Sequence, residues 1–153
     1  MREVRVYIES TWKGPARRDG VAMWLVECVR GGQAVTRQGF IHAEDGTETK
    51  GCLMAMINAI CILKAPCSIR VYTGCNQILV ATQFGWHENW KENGWLNAKG
   101  KPVKNAELWA MLIDKAKPHR YSVEDTPNPY VLMMQEELRK EMERWRPKRE
   151  KAS

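Results

Sequence analysis

A helical run set between strand-like runs limits the topologies open to this chain. Leu53, Met56, Ile57, Ile60 and Lys64 recur at helical spacing, Thr47 or Thr49 offers a cap, and Pro66 ends the run. Ser68 to Thr73 then alternates as a strand. A helix leading straight into a strand is a crossover, so the strand returns parallel to one already in the sheet. The earlier strands lie upstream. Val4, Val6 and Ile8 alternate with polar neighbours, Ser10 to Gly20 is a loop rich in Gly, Pro and Arg, and Val21 to Arg30 is again strand-like. Gly31-Gly32 joins that strand tightly to Gln33–Ile41, which predicts three consecutive antiparallel strands.

Downstream, Gln77–Trp90 and Ala106–Lys117 read as helices flanking KENGWLNAKGKPVKN, where Gly94, Gly100 and Pro102 impose an irregular loop. A short strand, Arg120–Glu124, precedes the turn TPNP and a last helix from Tyr130 to about Trp145. The order β-β-β-α-β-α-α-β-α predicts an α/β fold with a mixed five-stranded sheet flanked by helices. Residues 1–145 form one domain on this reading, and 146–153, with its run RPKREK, is a basic, flexible tail. The methionines of LMAMI and VLMMQ sit at helical spacing and read as core.

The longest apolar stretch, Leu53–Leu63, is too short to span a bilayer, so no membrane partner and a cytoplasmic location are expected. Five cysteines without a CxxC pair indicate neither a disulfide framework nor a structural zinc site. The formal net charge of +6 suits an anionic partner.

The segment YTGCNQ, residues 72–77, puts a glycine just past a strand end, a place where catalytic side chains are often displayed. VYIES at the N-terminus, KGCLMAMINAI at the helix start, IRVYT, and above all WHENWKENGWLNAKGKPVKNAELW, with Trp86, Trp90 and Trp95 at their spacing, carry a resemblance that covers nearly the whole chain. In these words the chain resembles type 1 ribonuclease H. The resemblance implies the ribonuclease H-like fold, with residues 86–109 as its basic protrusion and following helix. It also implies cleavage of the RNA strand of an RNA/DNA hybrid by four carboxylates that hold two magnesium ions.

Carried over position by position, the four carboxylates fall on Glu9, Cys52, Gly74 and Glu136. Two survive as glutamates and two are lost. A thiol is a soft ligand ill suited to magnesium, and glycine has no side chain, so the usual cleavage is expected to be absent. The histidine that the family carries in the loop before its last helix has no counterpart in VEDTPNP; His119 lies before the strand. On the substrate side, the resemblance assigns a phosphate pocket to Thr47, where the neighbouring Glu48 would repel the ligand. It assigns backbone and stacking contacts to Lys91, Lys99, Lys101, Lys104 and the three tryptophans. Packing is an equal claim on those tryptophans.

The expected function is a nucleic-acid-binding module, for hybrid or duplex, with no cofactor, together with a possible protein partner. The alternatives are an active endoribonuclease using Mg or Mn at a site rebuilt from Glu9, Glu136 and Glu48 or Asp125, and a protein-interaction adaptor. In this fold the helix-one position of Cys52 and the turn that carries Cys75 face each other across the site, while a one-residue insertion in GCN relative to the family leaves the direction of Cys75 open. With Glu9 and Glu136 they form a candidate soft-metal set, against the commoner role of cysteine as a small buried hydrophobe.

Overall fold

The computed structural model describes residues 1–125 and 127–152, the stretch 146–152 as backbone alone. Three strands, β1 (Arg2–Ser10), β2 (Arg18–Arg30) and β3 (Gln33–Gly46), lead into α1 (Glu48–Cys61) and β4 (Cys67–Thr73). Then come α2 (Asn76–Gln83), α3 (Trp86–Glu92), α4 (Ala106–Ala116), β5 (Arg120–Glu124) and α5 (Val131–Ala152). The sheet order is β3-β2-β1-β4-β5, with β1, β2 and β3 antiparallel and β4 and β5 parallel. The three-strand start and the parallel return through α1 are as the sequence predicts.

Strand alternation divides the core in two. Val4, Val6 and Ile8 of β1 meet Leu53, Met56, Ile57 and Ile60 of α1, with Trp109 and Leu112 of α4 behind them. Tyr7 points the other way and joins Met23, Leu25, Met134 and Leu138 under α5. α1 therefore covers one face of β1 and α5 the other. No helix among the described residues is long and apolar enough to cross a membrane.

Three readings from the pattern need correction. The helix expected over Gln77–Trp90 is two, α2 and α3, because Gly85 takes a left-handed φ of 68° and breaks the run. Of the methionines read as core, Met56 and Met134 are buried, whereas Met133 is exposed beside Leu132 on the solvent side of α5. The last helix runs on to Ala152 instead of ending near Trp145. The flexible tail expected at 146–153 falls on side chains outside the described residues.

One packing detail ties the β1–β2 loop to α1. The indole of Trp12 is fully buried, and its Nε1 donates to the Arg18 carbonyl at 2.9 Å. A Cβ added at Gly20 would come within 2.3 Å of the ring on one side, and a Cβ added at Gly51 within 2.3 Å on another. These glycines are there because the ring leaves no room for a side chain. Alanine at an α1 interior position would ordinarily gain about 1 kcal/mol over glycine. The clash with a fixed, buried ring costs more, typically about 1–3 kcal/mol for overpacking. Gly51→Ala is thus expected to lower stability in chemical denaturation, and Trp12→Ala to lower it by about 3–5 kcal/mol. An unchanged midpoint for Gly51→Ala would show that the ring has somewhere else to go.

Candidate functional site

The ends of β1 and β4 and the start of α1 converge on one region, and alternation along β1 splits it. Glu9 lies on the face of Tyr7, toward α5, and Ser10 on the face of Ile8, toward α1.

On the α5 side, Glu9 is held at both oxygens by amides. Gln135 Nε2 donates to Oε1 at 2.8 Å and Asn128 Nδ2 donates to Oε2 at 3.0 Å. Asn128 is fixed in turn, since its Oδ1 accepts from the Tyr130 backbone N–H at 2.8 Å. Glu136, expected as the second surviving carboxylate, is elsewhere. It is half exposed and accepts two hydrogen bonds from Arg139, one turn on, at 2.7 and 3.1 Å. That guanidinium holds its carboxyl below the usual range. The structure thus brings Gln135, not Glu136, to Glu9. The sequence reading missed Gln135 and Asn128, although an amide beside the matched glutamate was a signal that could have raised them.

On the α1 side, Cys52 and Cys75 do face each other, and both are buried. The Cys52 thiol donates to Cys75 and is pushed well up by that bond and by burial. Cys75 is lowered by the same bond, helped by the Ile78 backbone N–H at the start of α2. Ser10 also bonds Cys52, and Thr49 Oγ1 lies 3.8 Å from the Cys75 sulfur. Glu48 reaches this group as well, hydrogen-bonded to Cys75 with Lys13 nearby, and burial raises its carboxyl. The two thiols are therefore paired, but neither Glu9 nor Glu136 joins them. Among the described residues no three His, Cys, Asp or Glu side chains converge as a metal site. Gly74 is exposed, and an added Cβ would meet nothing within 4 Å. Asp125 is exposed at the end of β5, and no hydrogen bond or ion pair joins it to these groups.

A two-magnesium centre needs several hard oxygen donors around each ion. The groups present are one amide-bound carboxylate, two thiols, a bare glycine and a carboxylate turned to a thiol. They do not fit it.

Beside this region, Thr47 caps α1, its hydroxyl accepting from the Lys50 N–H at 3.3 Å. It lines a depression of about 500 Å³ with Arg17, Lys50, Lys104 and Asn105. Three cations, of which Arg17 also pairs with Asp45 at 3.5 Å, and a helix N-terminus favour an anion in this hollow. Glu48, expected to repel a phosphate here, lines the neighbouring hollow instead. Arg17, Lys50 and Asn105 were not singled out from the sequence; the first two were legible only as scattered charges until the β1–β2 loop and α1 were brought together.

Of the protrusion tryptophans, Trp90 and Trp95 pack against the main core, and Trp90 lies edge-on to Trp109 with ring centroids 5.6 Å apart. Trp86 is 46% exposed and stacks on Phe84, itself 69% exposed, at 5.9 Å. The packing role thus holds for two of the three, and Phe84 joins the third. Lys91, Lys99 and Lys101 are exposed in α3 and the following loop. His87 is a core residue, its Nε2 2.8 Å from the Tyr121 hydroxyl, and His119 Nδ1 accepts from the Cys67 N–H at 3.0 Å.

The model of the family described as RNase H matches residues 3–126. This chain belongs to the ribonuclease H family. A ribonuclease H of Brucella anthropi is 35% identical over 125 residues, covering 78% of this chain and 74% of that one. Among solved structures, LC9-RNase H1, a type 1 RNase H with the type 2 active-site motif, superposes with a TM-score of 0.69 at 22% identity, over 84% of this chain and 64% of that one. This chain thus spans under two thirds of that neighbour's length. The foamy viral protease-reverse transcriptase in complex with RNA/DNA hybrid gives 0.64 at 14% identity, over 88% of this chain and 18% of that one. Both structural likenesses are of fold.

Two outcomes test the site. Because burial favours the protonated form of Glu48, the stability tied to that form is present below the ordinary glutamate pKa and is lost as pH rises through the raised one. Glu48→Gln is therefore expected to raise the Tm at about pH 8, with the difference closing near about pH 4. A constant difference at both pH values would remove the burial argument. Gly74→Asp, which projects into open space, is expected to stay within about 0.5 kcal/mol of the parent in urea unfolding; a larger loss would mean that the position is not vacant.

Proposed function

We propose that this chain is a ribonuclease H-like module that binds nucleic acid without the family's two-metal cleavage of RNA/DNA hybrids. One observation carries the reading. The four positions that the resemblance assigns to metal-binding carboxylates hold an amide-clamped Glu9, a buried thiol at Cys52, an empty Gly74 and an Arg-paired Glu136. Cleavage through two ions would need Glu9 to release two amide donors and three further carboxylates to be found.

Binding has more support than cleavage. The hollow at Thr47 sets Arg17, Lys50 and Lys104 at a helix N-terminus, an arrangement suited to one backbone phosphate. The exposed pair of Phe84 and Trp86 offers aromatic faces on which a sugar or base can stack. The ligand class is a hybrid or a duplex, in keeping with a structural neighbour, the foamy viral protease-reverse transcriptase, that is seen in complex with RNA/DNA hybrid and with double-stranded DNA. Magnesium or manganese would matter only to the alternative reading, in which Glu9, Glu136 and Glu48 or Asp125 rebuild a site. Glu48 turned to Cys75 and Glu136 paired with Arg139 argue against that assembly.

The test is one RNA/DNA hybrid followed in parallel for binding and for cleavage. Binding is expected to weaken steeply across a salt series, and the hybrid is expected to stay intact in magnesium and in manganese. Lys50→Glu with Lys104→Glu should weaken binding about tenfold or more and flatten the salt slope. Trp86→Ala should weaken it by a factor of about 5 or more. Metal-dependent cleavage that a chelator stops and Glu9→Gln abolishes would falsify the noncatalytic reading. Neither binding nor cleavage would leave a protein adaptor.

A further inference from the structure

Cys52 and Cys75 are two nucleophiles for which the function proposed above has no use. They come from different elements, Cys52 from near the start of α1 and Cys75 from the residue that precedes α2, and both are buried in the main core. Each is fixed by its backbone. Gly51, next to Cys52, is wedged on the Trp12 ring. The Cys75 N–H donates to the Thr73 hydroxyl at 3.1 Å, and its carbonyl accepts from the Leu79 N–H at 3.1 Å. Thr73 itself lies beside Ile8 in the β1–β4 register. Two thiols that separate elements hold in hydrogen-bond contact leave only a side-chain approach on the order of 2 Å before a disulfide. The other cysteines are not placed this way: Cys61 is exposed, and the Cys67 thiol donates to the Ala65 carbonyl at 3.1 Å.

The polar contacts give the two sulfurs different roles. Cys52 donates to Cys75, and the Cys75 thiol bonds in turn to the Glu48 carboxylate, so the Cys75 proton has an acceptor in place. The Cys75 sulfur also meets the Ile78 N–H at the start of α2. It is therefore the sulfur that loses its proton first and attacks, and Cys52 is its neighbour in waiting. Access is from the side of Gly74. Cys75 lies between the exposed Gly74 and the exposed Asn76, and a Cβ added at Gly74 would meet nothing within 4 Å. Thr49 Oγ1 lies 3.8 Å from the Cys75 sulfur and donates to Gln77 Oε1 at 3.0 Å. Thr49 and Gln77 line a surface hollow of about 300 Å³ together with Glu48 and Asn76. The cover beside the sulfur is thus one side-chain bond between α1 and α2, which a molecule little larger than water passes when Thr49 and Gln77 part.

We propose that Cys52 and Cys75 are a reversible oxidation site that reacts with hydrogen peroxide and closes to a disulfide between α1 and the turn that leads into α2. The inference does not rest on the nucleic-acid reading. Glu48 takes the Cys75 proton, and the Cys75 thiolate attacks one peroxide oxygen. The O–O bond breaks, and the departing hydroxide takes that proton from Glu48 and leaves as water, with a sulfenic acid on Cys75. The Cys52 sulfur then attacks the Cys75 sulfur. The S–O bond breaks, and hydroxide leaves with the Cys52 proton as a second water. The two thiols have lost two electrons and the peroxide has gained them. A small dithiol reverses the change by exchange, its own sulfurs taking up the disulfide.

The experiment treats the reduced full chain with hydrogen peroxide, then alkylates it and reads intact mass and a peptide map. The chain is expected to become lighter by about 2 Da, with Cys52 and Cys75 in one cross-linked peptide pair. Its Tm should rise by about 5 °C or more, because the cross-link closes a loop of the unfolded chain, and dithiothreitol should return it to the start. Cys52→Ser should lose the cross-link and leave a sulfenic acid on Cys75 that dimedone traps, whereas Cys75→Ser should lose both. Glu48→Gln should slow cross-linking about tenfold or more. Circular dichroism melts of the reduced variants separate lost chemistry from a lost fold, and the mass and map of the parent decide the matter even where a serine variant fails to fold. Two thiols at 52 and 75 that still alkylate after peroxide, a cross-link through Cys28, Cys61 or Cys67 instead, a sulfinic acid on Cys75 with no cross-link, or dimedone labelling of Cys52 in Cys75→Ser would each overturn the proposal.

Discussion

The arrangement of the candidate site depends on how Trp12 is buried. The β1–β2 loop carries no helix or strand of its own, yet it must bring the end of β1, the cap of α1 and Arg17 into register. A fully buried indole does this by wedging between Gly20 of β2 and Gly51 of α1, with Gly46 at the end of β3 also in contact. The loop is tied further where Thr11 exchanges bonds with Val21 and where the Arg18 guanidinium donates to the Thr11 carbonyl. Burying a side chain of this size is worth several kcal/mol, a large share of the stability of a small domain. It places Gly51, and therefore Cys52 beside it, hard against the sheet. Cys52 has no freedom to move toward Glu9.

From that constraint follows the split of the site. In a strand, adjacent residues point to opposite faces, so Ser10 and Glu9 serve different cores. Ser10 goes with the thiols under α1, while Glu9 goes with the amides of α5 and its preceding turn. Each half is internally satisfied, and no buried side-chain polar atom among the described residues lacks a partner. Carboxylates gathered round a metal would repel one another until the ion arrived. Here the opposite holds: the groups are bonded to one another in pairs, Glu9 to amides and Cys52 to Cys75. Such a region is stable without an ion.

Much of this was legible in the sequence because it follows from period and punctuation. Val4, Val6 and Ile8 alternate, Gly31-Gly32 turns, Thr47 caps and Pro66 stops, and each names its element without tertiary help. The break at Gly85 was not legible, since a glycine inside an apolar helical pattern is tolerated in many helices and its left-handed φ is decided by where Phe84 and Trp86 must go. Nor was the choice of Gln135 over Glu136. The two are adjacent on α5, separated by about 100° of helix rotation, and a shift of one residue at the end of a proline-bounded turn decides which one faces β1. That the α1 position of Cys52 and the turn after β4 lie close together was legible because the family resemblance fixes α1 against β4, but the direction of Cys75 was not, because GCN is one residue longer than the family's turn. A hollow at Thr47 was expected from the resemblance, but Arg17 and Lys50 in it were not, because they lie far apart in sequence and meet only when the Trp12 loop is in place.

The two ends of the sheet then differ in a way that net charge cannot express. At the Thr47 end, three cations stand round a helix N-terminus and its capping hydroxyl. At the Arg37 end, four cations surround a floor of valine, leucine and isoleucine beyond the end of the same helix. The first environment rewards a compact, strongly hydrated anion, because several donors can replace its water at once. A sequence with a charge of +6 is equally compatible with either arrangement. What separates them is the surface that each cluster of positive charge has been folded against.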